Sequence, residues 1–277
     1  MDDIKNEFEF FLNLFLKDNP QLVDVCQGGK RIRPIIIYET ASLINPLWRT
    51  DPAISLKIKR YAVIIELIHS TSLIIDDLPS MDNDMYRRDQ LTFHAKHGQH
   101  SAYLMVYNLL SLIKKLILED DDETIQYLEL EEIINTELNN LVIGQKYDLD
   151  PDWIPIFGSR TLKIAELKTA SLFKLDTIGP YYLIKSNHNN YITKDMLLLL
   201  GYNLGMAFQL SDDFLDLNID TNTNNYGLET SEKELQSMFK KYHNSILLLL
   251  KNKNVSQDSS FYQILDLMNK RFQKNKK

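Results

Sequence analysis

The stretch LIHSTSLIIDDLPSMDNDMYRR, residues 67–88, decides the reading of this chain. The apolar run Leu73-Ile74-Ile75 delivers two adjacent aspartates, Asp76 and Asp77. Asp82 and Asp84 follow, and the stretch ends in the pair Arg87-Arg88. Carboxylates are costly to bury bare, so a cluster at the end of an apolar helix expects cations. Read alone, the stretch also fits an acidic turn closing a solvated helix end. The rest of the chain chooses between the two.

Working outward, the segment from about Ala53 to Asp76 reads as one helix, closed by Pro79. Upstream, Ile4, Phe8, Phe11, Leu12 and Phe15 recur at helical spacing, which predicts an amphipathic helix ending before Pro20. Gln27-Gly28-Gly29 breaks the chain, Lys30, Arg31 and Arg33 crowd together, and Pro34 opens a helix to about Ile44. Downstream, helices are expected over about 101–118, 124–148, 161–183, 193–217, 231–250 and 259–272. The run Glu119–Glu123 reads as a solvated acidic loop, and 151–159 as a loop around Pro151, Pro155 and Gly158. No strand alternation, repeat or Gly/Ser linker is visible. One all-α domain over residues 1–277 is the economical expectation.

Composition narrows the function. Hydrophobic content of 44% with 25% charged residues suits a soluble globular protein. The single cysteine, Cys26, excludes an internal disulfide framework and fits a reducing compartment. The N-terminus MDDIKNEFEFF is acidic where a cleavable signal is basic, and no apolar run is long enough for a transmembrane span. A cytoplasmic location is expected. Net charge −7 argues against a nucleic-acid partner. An acidic protein can still handle polyanions when metal ions stand between them.

A second acidic cluster lies in GMAFQLSDDFLDLNID, residues 205–220. Asp212 and Asp216 are four apart and share a helix face, Asp213 is adjacent, and Gln209 sits one turn before Asp213. Two such clusters, each ending an apolar helical run, suggest facing walls that hold Mg²⁺. That ion takes one or two carboxylates and completes its shell with water and phosphate oxygens. The cations Lys30, Arg33, Arg87, Arg88 and Lys168 sit beside turns or helix ends, where arginine forks and lysine point charges suit phosphate. His69 lies seven residues before Asp76, about two turns away on the same face.

These pieces together resemble the trans-isoprenyl diphosphate synthases. The matching segments are GGKRIRP (28–34), IHSTSLIIDDLPSMDND (68–84), RR (87–88), GQKYD (144–148), KT (168–169) and GMAFQLSDD with Asp216 (205–216). The resemblance implies an all-helical isoprenoid-synthase-type bundle around a deep central cavity, usually homodimeric. It implies Asp76, Asp77 and Asp82 as one metal-binding wall and Asp212, Asp213 and Asp216 as the other, with up to about three Mg²⁺ between them. An allylic diphosphate would contact the metals, Arg87, Lys168, Thr169 and Gln209, and isopentenyl diphosphate would sit on Lys30, Arg33, His69 and Arg88. Lys168, Thr169 and Gln209 would position the donor for head-to-tail condensation with release of pyrophosphate.

Product length follows from the helix leading to Asp76. An isoprene unit and a helical turn are both about 5 Å long, so the growing tail passes successive turns. Thr71 and Ser72 are small and leave room, and the spacing from Asp77 to Asp82 is similar to that of geranylgeranyl diphosphate synthases. A twenty-carbon product is expected, with Tyr103 and Tyr107 as candidates for the pocket floor. The alternatives are a farnesyl diphosphate synthase, or a weakly active or non-catalytic partner subunit. A class I terpene cyclase would need neither GGKRIRP nor the second aspartate triplet.

The chain departs from the family pattern at Asp89–His94, at Met105–Tyr107 and at Ala165-Glu166, where a histidine is usual before the KT pair. The basic loop that usually follows the second aspartate cluster is replaced by a stretch without Lys or Arg until Lys233. Each lost contact to diphosphate would remove about 1.5–3 kcal/mol, so lowered or substrate-shifted activity is expected.

Overall fold

Helices carry almost everything in the computed structural model, which describes residues 1–17, 22, 25–26, 28–87, 89–118, 125–184, 191–216 and 231–274. The chain falls into two compact units, Met1–Tyr38 with Thr50–Glu123, and Glu39–Arg49 with Thr124–Lys277. The acidic run 119–123, residues 217–230 and Arg88 lie outside the described residues, as does the side chain of Asp216.

The first unit is organised by α3, Pro52–Asp76, against which α1, Asp2–Leu16, and α5, Gln99–Leu118, pack. Asp51 caps α3 by accepting from the amides of Ala53 at 2.9 Å and Ile54 at 3.2 Å, and Pro52 fills the first turn, where no amide partner is needed. From Tyr61 to Ile68 every residue of α3 is buried, including Glu66. A buried carboxylate requires a counter-ion, and Arg31 supplies it. Its Nη1 reaches Glu66 at 2.6 Å, its Nε reaches Glu9 of α1 at 2.7 Å, and it also donates to the Cys26 carbonyl. Arg31 has φ +53°, so the three anchors hold it in a conformation a side-chain-bearing residue rarely adopts. The basic triplet is therefore sorted: Arg31 turns inward, while Lys30 stays exposed and Arg33 half-buried. The following helix, α2, runs Ile32–Ile44, beginning two residues before the expected Pro34.

Two small elements were not expected. Residues Tyr86–Arg87 (β1) and Gln90–Leu91 (β2) pair antiparallel, with Arg87 opposite Gln90, and α4, Phe93–His97, follows at once.

The second unit centres on α9, Lys194–Asp216. It packs on α8, Ser171–Leu183; on α10, Glu232–Asn252; and on α11, Ser260–Lys274. Ser231 and Glu234 form a reciprocal capping box at the start of α10. The expected helix 161–183 is present but not uniform. It consists of α7, Arg160–Ile164, a π-helical turn over Ala165–Ala170, and α8. The turn packs between α9 and α6, Ile125–Leu149. Among the described residues no helix is long and apolar enough to cross a membrane.

Candidate active site

In the first unit, α3 delivers His69, half-buried, and ends at Asp76, with Asp77 as its C-cap. Carboxylates at a helix C-terminus add to about half a negative charge already there, so this end seeks cations strongly. The next residues curl back: Asp82 N–H donates to the Asp76 carbonyl at 2.9 Å, and Asn83 N–H to that of Leu78 at 3.0 Å. Asp76 and Asp82 are thereby held within one turn, half-buried and exposed respectively. Asp77 differs from them. It is 4% exposed, and the hairpin brings Arg87 Nε to its Oδ1 at 2.7 Å, with Asp84 a further 3.6 Å partner of Arg87. Burial pulls the Arg87 guanidinium down, but the hydrogen bond and charge of Asp77, with Asp84 and Asp76 behind it, outweigh that and raise its pKa. Asp76, Asp82 and Asp84 are all less buried than Asp77.

Beside this cluster lies a cavity of about 780 Å³ within the first unit. Its lining combines polar side chains, Asp77, Arg87, Lys96 and His97, with apolar ones, Leu73 and Ile74 of α3 and Leu104 and Met105 of α5. Gly28 and Gly29 line it as well, so the GGKR turn and the aspartate cluster border one space. Thr71 and Ser72 do not line this cavity; the α3 face toward it is Ser70, Leu73, Ile74 and Asp77. Their hydroxyls are turned onto their own helix, Thr71 to the Leu67 carbonyl at 2.8 Å and Ser72 to that of His69 at 2.9 Å. Ser72 falls on the same helical face as His69 and Asp76. Tyr103 and Tyr107 are not among the residues lining this cavity, to which α5 presents Leu104, Met105 and Asn108.

In the second unit, the π-helical turn carries Lys168 and Thr169. Such turns widen the helix and recur at functional sites. Lys168 Nζ is 2.9 Å from Asp148 Oδ2 of α6. Thr169 Oγ1 donates to Gln209 Oε1 at 2.6 Å, and Gln209 Nε2 donates to Asp213 Oδ1 at 2.8 Å. The spacing that places Gln209 one turn before Asp213 is realised as a hydrogen bond.

Two glycines make this possible. A Cβ on Gly144 would lie 2.7 Å from the Lys168 backbone nitrogen, and one on Gly205 would lie 2.5 Å from the Ala170 Cα. Only glycine lets α6 and α9 approach the turn so closely. One turn beyond each glycine comes the residue that reads the turn, Asp148 after Gly144 and Gln209 after Gly205. Arg160 steadies the same corner, donating to the carbonyls of Tyr147 at 2.7 Å, Asp150 at 2.8 Å and Trp153 at 3.1 Å. Sequence reasoning gives neither Asp148 nor Arg160 a role of its own. The GQKYD segment contains the first, and nothing local marks the second.

Asp212 is also partnered. Arg271 of α11 contacts its Oδ1 and donates to Ser211 Oγ at 2.7 Å. Among the described residues no three His, Cys, Asp or Glu side chains gather into a ready metal cage. Asp213 is 6% exposed and accepts from Gln209, while Asp212 is half-buried beside Arg271.

The polyprenyl synthetase family profile matches residues 20–232 of the chain. A farnesyl diphosphate synthase of Buchnera aphidicola (subsp. Schizaphis graminum) is 30% identical over 252 residues, 83% of this chain and 81% of that protein. A geranylgeranyl diphosphate synthase of Pantoea ananas is 32% identical over 196 residues, 70% of this chain and 62% of its own length. Among solved structures, a geranyltransferase from Legionella pneumophila superposes with a TM-score of 0.83 at 23% identity, over 99% of this chain and 96% of that one. That likeness establishes the all-helical isoprenoid-synthase fold.

Proposed function

The chain belongs to the polyprenyl synthetase family, the trans-isoprenyl diphosphate synthases, and from that premise we propose that it condenses isopentenyl diphosphate head to tail with an allylic diphosphate. The observation that carries the reading is the π-helical turn, in which Lys168 and Thr169 are fixed by Asp148, Gln209 and Asp213. A reaction whose leaving group is a diphosphate needs positioned positive charge, and this arrangement fixes the Lys168 ammonium beside a turn whose Thr169 and Gln209 side chains are held by one another and by Asp213.

In this reading Asp76, Asp77 and Asp82, with Asp212, Asp213 and Asp216, would hold Mg²⁺, which when bound would screen the diphosphate and stabilise charge on the departing pyrophosphate. Arg87 and Lys168 add fixed cations to the allylic diphosphate. Lys30, Arg33, His69 and Arg88 hold isopentenyl diphosphate. The bond from the allylic carbon to oxygen breaks, and the isopentenyl double bond attacks the allylic cation. A proton then leaves to restore an allylic diphosphate. The departing pyrophosphate can accept it, so no dedicated basic side chain is needed. Water must be excluded meanwhile, because it would trap the cation as an alcohol.

We further assign a twenty-carbon product. The support is the small size of Thr71 and Ser72 in the turn before Asp76; Ser72 shares the helix face of His69 and Asp76, whereas Thr71 is buried and neither lines the cavity described above. A fifteen-carbon product is the second reading, favoured by the farnesyl diphosphate synthases among the relatives. The protein is proposed to act as a cytoplasmic homodimer. The outward stripe Tyr103, Tyr107 and Leu110 on α5 supports the dimer, and light scattering after gel filtration tests it.

The deciding assay supplies purified protein with Mg²⁺, isopentenyl diphosphate and dimethylallyl, geranyl or farnesyl diphosphate in turn, with product length read by mass spectrometry. Condensation that EDTA abolishes and Mg²⁺ restores is expected. No condensation with any primer would sink the enzyme reading. Thr71→Phe together with Ser72→Phe should shorten the product while condensation persists; an unchanged length means the tail does not pass that turn.

A further inference from the structure

The sequence from Leu217 to Glu232 contains no lysine or arginine, so the second aspartate cluster has no basic residue following it closely in the chain. Its positive charge comes from elsewhere. Arg271, on α11 and outside the 20–232 region matched by the family profile, is 7% exposed and sits against the C-terminal part of α9. Three residues of α9 on one face anchor it. Its guanidinium lies 4.8 Å from the centre of the Phe208 ring, donates to Ser211 Oγ at 2.7 Å, and pairs with Asp212.

An arginine held this way is costly to install. Its desolvation must be offset by cation–π attraction, a hydroxyl acceptor and a carboxylate. The C-terminal end of α9 adds about half a negative charge to that of Asp212 and Asp213, which further favours a cation there. Asp212 is not sealed off by the pairing: its side chain remains 34% exposed, and the contact uses Oδ1. Arg271 reaches Ser211 and Asp212 through Nη1, one atom of a planar fork that carries five donors.

We propose that Arg271 is the fixed cation of the second aspartate cluster, orienting Asp212 and supplying the diphosphate-binding charge that the following loop lacks in sequence. The proposal rests on the diphosphate-site reading above. It makes the C-terminal helix part of the substrate site.

The test is calorimetric titration of the full chain with inorganic pyrophosphate at saturating Mg²⁺, which needs no turnover. Arg271→Met keeps the bulk of the stem and removes the charge; Arg271→Lys keeps the charge without the fork. A unit charge at roughly 6–8 Å in an effective dielectric near 20 corresponds to about a tenfold to hundredfold change in affinity. Arg271→Met should weaken pyrophosphate binding by that factor, and Arg271→Lys should recover part of it. The dependence of affinity on salt should flatten in the Met variant, which a merely structural residue would not alter. Melting is followed alongside, and the Lys variant carries the test if the Met variant does not fold. Equal pyrophosphate affinity in the parent and a folded variant without the fork overturns the proposal and leaves the diphosphate site standing. If the parent itself binds no pyrophosphate with Mg²⁺, both readings fall.

Discussion

Gly205→Ala should uncouple the reactive corner of the second unit from its scaffold. The added Cβ would meet Ala170 Cα at 2.5 Å and Ala170 Cβ at 2.8 Å, where ordinary contact is 3.4–4 Å. Helix α9 must then move from the π-helical turn by roughly 1 Å. Overpacking of this kind costs about 1–3 kcal/mol. Alanine returns up to about 1 kcal/mol of helix propensity. The Thr169–Gln209 bond, 2.6 Å long and one turn beyond the new methyl, would stretch or break, at about 0.5–1.5 kcal/mol. The net expectation is a loss of about 1–3 kcal/mol, a fall in melting temperature of roughly 2–12 °C. Because a misplacement of about 1 Å can cost a hundredfold in rate, kcat for condensation should fall tenfold to a hundredfold. Gly201→Ala is the control. Its Cβ would meet the Phe173 carbonyl and Thr177 Oγ1, both at 2.5 Å, two turns away from Gln209. It should lose comparable stability and much less turnover. Gly205→Ala melting and turning over like the parent would refute the close-approach argument. Equal activity losses in the two variants would refute the link to Gln209.

Further outcomes follow from individual contacts. Asp148→Asn removes the carboxylate 2.9 Å from Lys168, and steady-state pyrophosphate release should slow by about tenfold to a hundredfold with a much smaller change in melting. Arg31→Met leaves buried Glu66 without its counter-ion, so thermal melting should fall by the equivalent of about 3–5 kcal/mol, and adding Glu66→Gln should recover part of it. Burial lowers the pKa of His243, with a smaller opposing hydrogen bond from Asn244. A histidine depressed in the folded state contributes stability above its ordinary pKa of about 6.5 and loses it as pH falls through the folded value. Melting temperature should therefore drop on acidification below about pH 6.5, and His243→Gln, which can still meet Asn269, should show a shallower drop.

The helices were legible because apolar spacing of three and four residues, with Pro and Gly at the ends, reports a local pattern. The two clusters of aspartates were legible for the same reason: chemistry unusual for an apolar helix stands out at short range. What escaped depends on distant partners or on fine rotation. Arg31 looks like its neighbours Lys30 and Arg33, and only Glu9 and Glu66, 22 and 35 residues away, turn it inward. Strands of two residues cannot show alternation, so the hairpin that returns Arg87 to Asp77 left no signal. Tyr103 and Tyr107 lie next to cavity residues in sequence, but the α5 residues that line the cavity are Leu104, Met105 and Asn108, a distinction of one position on a helix.

The π-helical turn shows how the two kinds of information combine. Its Lys-Thr pair is recognisable by resemblance, yet no periodicity in 161–183 distinguishes a widened turn from an ordinary one. In sequence, Gly144 and Gly205 are the first residues of the GQKYD and GMAFQLSDD segments. In space they are the contact points where α6 and α9 meet the turn. Each glycine then places its reader one helical turn on, Asp148 against Lys168 and Gln209 against Thr169. A glycine inside a helix costs about 1 kcal/mol relative to alanine. Two of them flanking the same Lys-Thr pair are therefore best explained by the close approach that the pair requires, which ties the packing of the second unit directly to its chemistry.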